Sequence, residues 1–540
     1  MVPEGEFVVL MPKHSPGVQR SRTWPTILCT HRRHQMLSIL TTLPLLAAMG
    51  VAVASDQATV QELQMEWAFN TSDVFQGRLF GPGRQGCQTV WDVDGDEENE
   101  VVFGTRRGDS KRLWCIDQDG QFEWIYPPIE EDGLPGDPMS KVSLVDVDKD
   151  GKIELSFAGR GGRLHVIDGN GQVVWTWDNP TGADMYGAPQ ALDVDGDGWV
   201  EFFVSDNQGF VHRLNHDGEP VWTSSEGPGA NLGHPTVCDI DRDGGFEVLW
   251  ANNYRRVLCA DAATGENRWS YNTTSTMKYN PVLVADIDSD EEYEAIAWTD
   301  APGEVICLDA QGRHVWNWSH PQRMNIRDCQ AMGDVDGDGG MELMILSDWA
   351  GFCLDIGVST PEIQWAVNFT EWSEDGSLPE GAVACSWCSY QLIADIDGDR
   401  ELEVLWLAPF PIVTDAGTGE LEAYYLNEFV TVGPSGRHNS GWWGDVDQDG
   451  VSEWIVELVG DTYPETQLYC LTAGGSFPAE SPWPEYYHCA YPVEYQLEQE
   501  WLTLKSAGSN SLWFPITESL QPILPIGLVC LAVVARSKKR

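Results

Sequence analysis

Residues 193–201 read Asp-Val-Asp-Gly-Asp-Gly-Trp-Val-Glu, four carboxylates within nine positions. Two like charges about 4 Å apart repel by roughly 4 kcal/mol at an effective dielectric near 20, so a loop that gathers four of them calls for a cation. Ligands that are all oxygen, carried on a flexible and carboxylate-rich loop, suit calcium better than magnesium. Asp193, Asp195 and Asp197 alternate and can turn inward. Gly198 permits the sharp turn between them. The carbonyl of Trp199 then faces the ion and Glu201 closes the site.

The same string recurs at seven other places. The candidate metal ligands are Asp92, Asp94, Asp96 and Glu100 in the first loop, and Asp146, Asp148, Asp150 and Glu154 in the second. After the third loop, already quoted, come Asp239, Asp241, Asp243 and Glu247, then Asp286, Asp288, Asp290 and Glu294. The last three are Asp334, Asp336, Asp338 and Glu342; Asp395, Asp397, Asp399 and Glu403; and Asp445, Asp447, Asp449 and Glu453. An EF-hand loop also begins D-x-D-x-D-G, but it needs a carboxylate at its twelfth position. Here the twelfth positions are Phe103, Phe157, Val204, Trp250, Ala297, Ile345, Trp406 and Val456, none of which can ligate. The acid stands at position nine and opens an apolar, β-rich run such as EFFVS (201–205) or EVLWA (247–251). Such runs read as strands, which predicts up to eight calcium sites, each in a β-hairpin connection.

The loops begin at intervals of 54, 47, 46, 47, 48, 61 and 50 residues. A period near 47 fits a four-stranded propeller blade. Within one unit, GAPQAL (187–192) enters the loop, EFFVSD (201–206) leaves it, FVHRLN (210–215) returns, and EPVWTS (219–224) lies outermost after the turn at Asp217-Gly218. Turns of the same kind stand at Asp119-Gly120, Thr264-Gly265, Gln311-Gly312 and Thr418-Gly419. An aromatic follows each turn at one register: Trp124, Trp175, Trp222, Trp269, Trp316, Trp365 and, in the seventh unit, Tyr424. One aromatic per unit is a wedge between neighbouring blades before it is a carbohydrate platform. MEWAFNTSD (65–73) matches the outermost segments and is expected to close the ring against the last blade. The fold class is therefore all-β, an eight-bladed propeller of four-stranded antiparallel blades. No amphipathic helix is expected before the C-terminal apolar segment.

Glycine holds position six of the loop at Gly151, Gly198, Gly244, Gly339 and Gly450, whereas Glu97, Glu291 and Arg400 replace it elsewhere. A side chain there must accept an unusual backbone conformation. Arg400 also brings positive charge near the ion, so the seventh site is expected to be the weakest.

Two family resemblances rest on these residues. The repeated D-x-D-x-D-G-x-x-E loops resemble the FG-GAP or VCBS repeats of integrin-α-type propellers. VLCADAATGENRW (257–269) and VICLDAQGRHVW (305–316) resemble the signature of quinoprotein (PQQ-like) propellers. Both resemblances imply a propeller, and the first implies structural calcium. Neither implies one activity, since propellers host many.

The chain of 540 residues carries 84 acids against 32 bases, a formal charge of -52. The candidate ligands are 32 of those acids, so the rest of the chain is still acidic, which excludes a nucleic-acid partner. HRRH at 31–34, the apolar stretch that follows and Ala52-Val53-Ala54 form a secretory signal within an N-terminal region of 1–54, whose start is Met1 or Met36; an uncleaved anchor is the other reading. The propeller is assigned to 55–495, a stalk to 496–519, a membrane or sorting segment to 520–535 and a basic tail to 536–540. The tail resembles the sorting tails of some prokaryotic surface proteins.

Of 13 cysteines, Cys115, Cys259, Cys307, Cys353 and Cys470 share one register, which makes them equivalent buried residues and not mutual partners. Cys385 with Cys388 and Cys470 with Cys489 are candidate local bridges. Sequons at Asn70, Asn272, Asn317 and Asn368 suit an exported glycoprotein.

These features favour a calcium-stabilised module at the cell surface. It would bind extracellular proteins or glycans and be tethered to the membrane by its C-terminal segment. No residue set is assigned to catalysis or to an organic cofactor. Two alternatives stay open. One is an enzyme, either of quinoprotein type or a polysaccharide lyase with a base among His234, Lys278, Arg327 and His438. The spacing of Cys385 and Cys388 departs from the adjacent pair of quinoprotein dehydrogenases. The other alternative is an envelope-assembly scaffold resembling outer-membrane propeller lipoproteins.

Overall fold

The computed structural model describes residues 63–472, apart from 72–79, 82–87, 106, 109–111, 128–139, 226–232, 278–279, 327–329, 348–349, 379–390, 397–400, 408–409, 426–440 and 459–466. The expected signal, stalk, terminal apolar segment and basic tail lie outside these residues, as do Cys385, Cys388, Cys489, Lys278, Arg327 and His438. No helix of the described residues is long and apolar enough to cross a membrane.

Eight four-stranded antiparallel sheets follow one another along the chain. The first contains Thr89–Trp91, Glu100–Thr105, Arg112–Asp117 and Phe122–Tyr126, paired in that order. The unit read from sequence folds as Gln190–Leu192, Glu201–Ser205, Val211–Leu214 and Pro220–Thr223, each strand a little shorter than its apolar segment. First strands of successive sheets adjoin one another and so form the inner ends of the blades.

Burial explains the sequence pattern of each strand. The second strands, such as Glu154–Gly159 and Glu247–Asn252, are buried at every position. A strand covered on both faces by neighbouring blades reads as a continuous apolar run rather than an alternating one. Outer strands such as Val173–Asp178 are mostly exposed, with burial confined to one face. The apolar core accordingly lies in the seams between blades. Leu113, Cys115 and Val102 of the first sheet pack with Leu144, Leu155 and Phe157 of the second.

The last sheet takes its outer strand from the other end of the chain. Gln64–Asn70 pairs antiparallel with Gln467–Thr472, from Gln64 opposite Thr472 to Asn70 opposite Gln467. Phe69, Ile455 and Leu468 of this sheet, with Val446 of its loop, then pack against Val90, Val101 and Phe103 of the first. The ring is thus closed by the segment expected to close it.

The outer aromatics act as wedges. Trp124, Trp222, Trp269 and Trp365 donate their indole N–H to the carbonyls of Gly169, Ala262, Ala310 and Ala416, each in the next blade, at 2.8–3.0 Å. The ring of each stacks on the turn glycine of that blade. At Gly312, for example, an added Cβ would lie 2.4 Å from Trp269 Cδ2, and φ is +72°. Trp67 of the closing strand meets Gly120 in the same way.

Two expectations are corrected. In the seventh blade Ala423, not Tyr424, stands opposite Val413 in the tryptophan register. Tyr424 is one residue further along and exposed, because the recurrent bulge before this position fixes which side chain faces the seam. A short helix, α1 (Phe369–Asp375), also occupies part of the long interval between the sixth and seventh loops. Asn368 caps it by accepting from the N–H groups of Thr370 and Glu371, and Gly376 ends it at φ 88°. Asn followed three residues later by Glu is a helix-start signal that the sequence carries.

Candidate metal centres

Each acidic loop connects the first and second strands of a blade, and the pairing leaves little freedom. The residue before the first aspartate sits opposite the ninth-position glutamate: Leu192 faces Glu201, Val145 faces Glu154, and Trp91 faces Glu100. The nine residues therefore form a hairpin connection, as expected.

The backbone N–H groups organise the carboxylates. Asp193 accepts from Gly196 N at 2.7 Å through one oxygen and from Gly198 N at 2.8 Å through the other. Asp334 repeats this with Gly337 and Gly339, and Asp92 with Gly95 and Glu97. The glutamate turns back under the loop. Glu100 accepts from Val93 N, Glu154 from Val147 N, Glu342 from Val335 N, Glu403 from Ile396 N and Glu453 from Val446 N, all at 2.7–2.9 Å.

Five sets of three carboxylates have one oxygen each within 4.8 Å of the others: Asp92, Asp94, Glu100; Asp146, Asp148, Asp150; Asp193, Asp195, Glu201; Asp239, Asp241, Glu247; and Asp286, Asp288, Glu294. Two further groups of ligating side chains occur among the described residues. The fifth-position acids Asp96, Asp197, Asp243 and Asp290 are not in these triplets; they accept from the N–H two residues on. Asp397, Asp399 and Arg400 lie outside the described residues.

Without a cation these groups are poorly accommodated. Burial, reinforced by neighbouring aspartates, pushes Glu100, Glu247 and Glu342 up to about 8 and Glu453 up to about 9. Glu154, Glu201 and Glu294 are raised to about 7, again chiefly by burial. Buried oxygens of Asp94, Asp146, Glu247, Asp445 and Glu453 have no hydrogen-bond partner among the described residues. Convergent oxygens that are buried and unsatisfied suit a hard divalent ion. The residues that would hold it are the first, third and ninth in the first, third, fourth and fifth loops and the first, third and fifth in the second.

At position six, Glu97 and Glu291 have φ of 77° and 71°, the unusual conformation expected of them. The sequence reading missed position four. Lys149, Arg242, Ser289 and Gln448 also have positive φ there, between 55° and 63°. Each reaches the following loop: Lys149 over the Trp199 ring, Arg242 over Tyr293, Ser289 to the carbonyl of Gly339, and Gln448 to that of Glu97. The signal available in sequence was the alternation of glycine with long or hydrogen-bonding side chains at that position.

Cys115, Cys259, Cys307, Cys353 and Cys470 are buried, as their shared register implied, and so is Cys238. His234, considered as a lyase base, is buried, and burial lowers it to about 3. A base withdrawn from solvent in this way is not placed to meet a polysaccharide.

Residues 193–250, which span the third and fourth loops, match the FG-GAP-like repeat family. No curated protein matches the chain. Among solved structures, a europium-containing methanol dehydrogenase is similar at 13% identity and a TM-score of 0.50, covering 77% of this chain and 95% of that one. A quinohemoprotein alcohol dehydrogenase from Comamonas testosteroni is 12% identical, with a TM-score of 0.48 and 78% of each chain covered. BamB from Moraxella catarrhalis is 18% identical, with a TM-score of 0.35 and 54% of this chain and 75% of that chain covered. At these identities the likeness is one of fold. Residues 193–250 carry an FG-GAP-like repeat, and the fold is similar to that of the methanol dehydrogenase.

Proposed function

We propose that this protein is a calcium-stabilised propeller, exported and held at the cell surface by its C-terminal segment, that binds extracellular proteins or glycans. The observation that carries the reading is the repetition of one carboxylate cluster in blade after blade, with no loop set apart as a reaction centre among the described residues. Bound calcium would neutralise the clustered acids and tie each inner hairpin. Extracellular calcium modules bind with dissociation constants of about 0.1–1 mM, so millimolar calcium adds on the order of 1 kcal/mol per site. Over several sites that sum rivals the stability of a whole domain.

The test is a binding screen of the full chain against glycans and extracellular proteins, with and without calcium, alongside circular dichroism during chelation. Loss of ordered sheet on chelation and a calcium-dependent ligand are the expected results. A ring unaffected by chelation would overturn the calcium reading. Turnover of a polysaccharide or alcohol in the same samples would overturn the binding reading.

A further inference from the structure

The third loop has the most regular of the eight strings, yet it contains a cation of its own. Arg213 on the third strand of that blade is 6% exposed as a side chain. Its Nη2 donates to Asp195 Oδ2 at 2.7 Å and lies 3.3 Å from Glu201 Oε1. Its Nη1 donates to the carbonyl of Ala263 in the next blade at 2.7 Å. The loop backbone already occupies the opposite oxygens, through Asp197 N to Asp195 Oδ1 and Val194 N to Glu201 Oε2. The guanidinium has therefore taken the two oxygens left for an ion.

Register shows why no other described blade brings a cation to these oxygens from this position, although in the sixth blade the neutral amide of Gln364 donates to Asp336 at 3.1 Å and to Glu342 at 3.5 Å. Arg213 stands opposite Trp222, as Cys115 stands opposite Trp124, Cys259 opposite Trp269, Cys307 opposite Trp316, and Val166 opposite Trp175. Where the position is a thiol or valine, no charge reaches the acids from it. Arg268 approaches Glu247 at 3.3 Å, but it is 38% exposed and is hydrogen-bonded to Asp261 instead.

We infer that Arg213 replaces the metal ion in the third loop, so that this blade is held by a tethered cation and binds no calcium. The inference rests on the calcium reading of the other loops. It differs from the expectation drawn from Arg400, which concerned the seventh loop. A guanidinium on the same chain pays no association entropy and cannot be chelated, which gives one blade a stability independent of the ion.

Calcium stoichiometry of the full chain, measured by equilibrium dialysis and calorimetry, tests it. Asp241→Asn in the fourth loop should lose one ion per chain. Asp195→Asn should lose none. Arg213→Val, which installs the residue used at this register in the second blade, should gain one. Loss of an ion in Asp195→Asn to match Asp241→Asn, or no gain in a folded Arg213→Val, overturns the inference and leaves the calcium reading standing. Absence of any bound ion in the unaltered chain removes both. Asp195→Asn keeps the test decisive if Arg213→Val fails to fold.

Discussion

At the scale of single residues, the tryptophan–glycine contact decides how one blade meets the next. Trp269 contributes an indole hydrogen bond of 2.9 Å to Ala310 O and a ring face pressed on Gly312. Trp269→Phe keeps most of the face and loses the bond, so it should cost about 1 kcal/mol. Trp269→Ala removes both and should cost about 3 kcal/mol. Gly312→Ala attacks the seam from the other side, placing a Cβ into the ring at a positive φ, and should cost about 1–3 kcal/mol. Chemical denaturation of the three variants orders them. Equal stability of Trp269→Phe and Trp269→Ala would mean that the ring face contributes nothing. The role of these tryptophans was legible because they recur at one spacing after a turn. The seventh blade was misread because Tyr424 is the nearest aromatic, whereas the four-residue spacing from the turn glycine, Gly419, falls on Ala423, which the bulge between Val413 and Thr414 keeps in the tryptophan register.

At the scale of the element, each acidic hairpin couples protons to metal. The ninth-position glutamates are raised from an ordinary 4.5 to between about 7 and about 9 by burial. A group whose pKa is higher in the folded state than in the unfolded state stabilises the fold fully below its unfolded value, and that contribution disappears as pH rises through its folded value. The ion-free ring should therefore weaken from about pH 5 to about pH 9. Calcium requires the same carboxylates deprotonated, so its stabilising effect should grow across the same window. Thermal unfolding in chelator and in excess calcium at several pH values checks both halves. A calcium-induced shift that stays constant from about pH 5 to about pH 9 would refute the coupling. The hairpin itself was fully readable, since the acid at position nine excluded the helical alternative. The bridges from Lys149, Arg242 and Ser289 were not, because they join residues about 50 positions apart, and that from Gln448 joins residues 351 apart; only the ring creates their proximity. Arg213 was hidden for the same reason: nothing in the local string DVDGDGWVE marks a cation arriving from 18 residues downstream.

For the whole molecule the decisive element is the strand that is out of order. Gln64–Asn70 completes the last blade, supplies Trp67 to the Gly120 turn of the first, and covers the edge of Gln467–Thr472. An uncovered edge presents a row of unpaired N–H and carbonyl groups to any other chain. Without this strand the last blade would keep three strands, and the seam holding Phe69 against Phe103 and Trp114 would lose one wall. A chain lacking residues 1–70 should therefore unfold at lower temperature and self-associate. Addition of a peptide spanning Gln64–Asn70 should restore both stability and the monomer. Light scattering and thermal unfolding with and without the peptide make the comparison. Calcium should not substitute for the peptide, since the metal loops join first to second strands within a blade and leave the outer edge bare. A shortened chain as stable and as monomeric as the complete one would show that the ring is held by its seams alone. Closure between the chain's two ends would then be a consequence of the fold and not a cause of its stability.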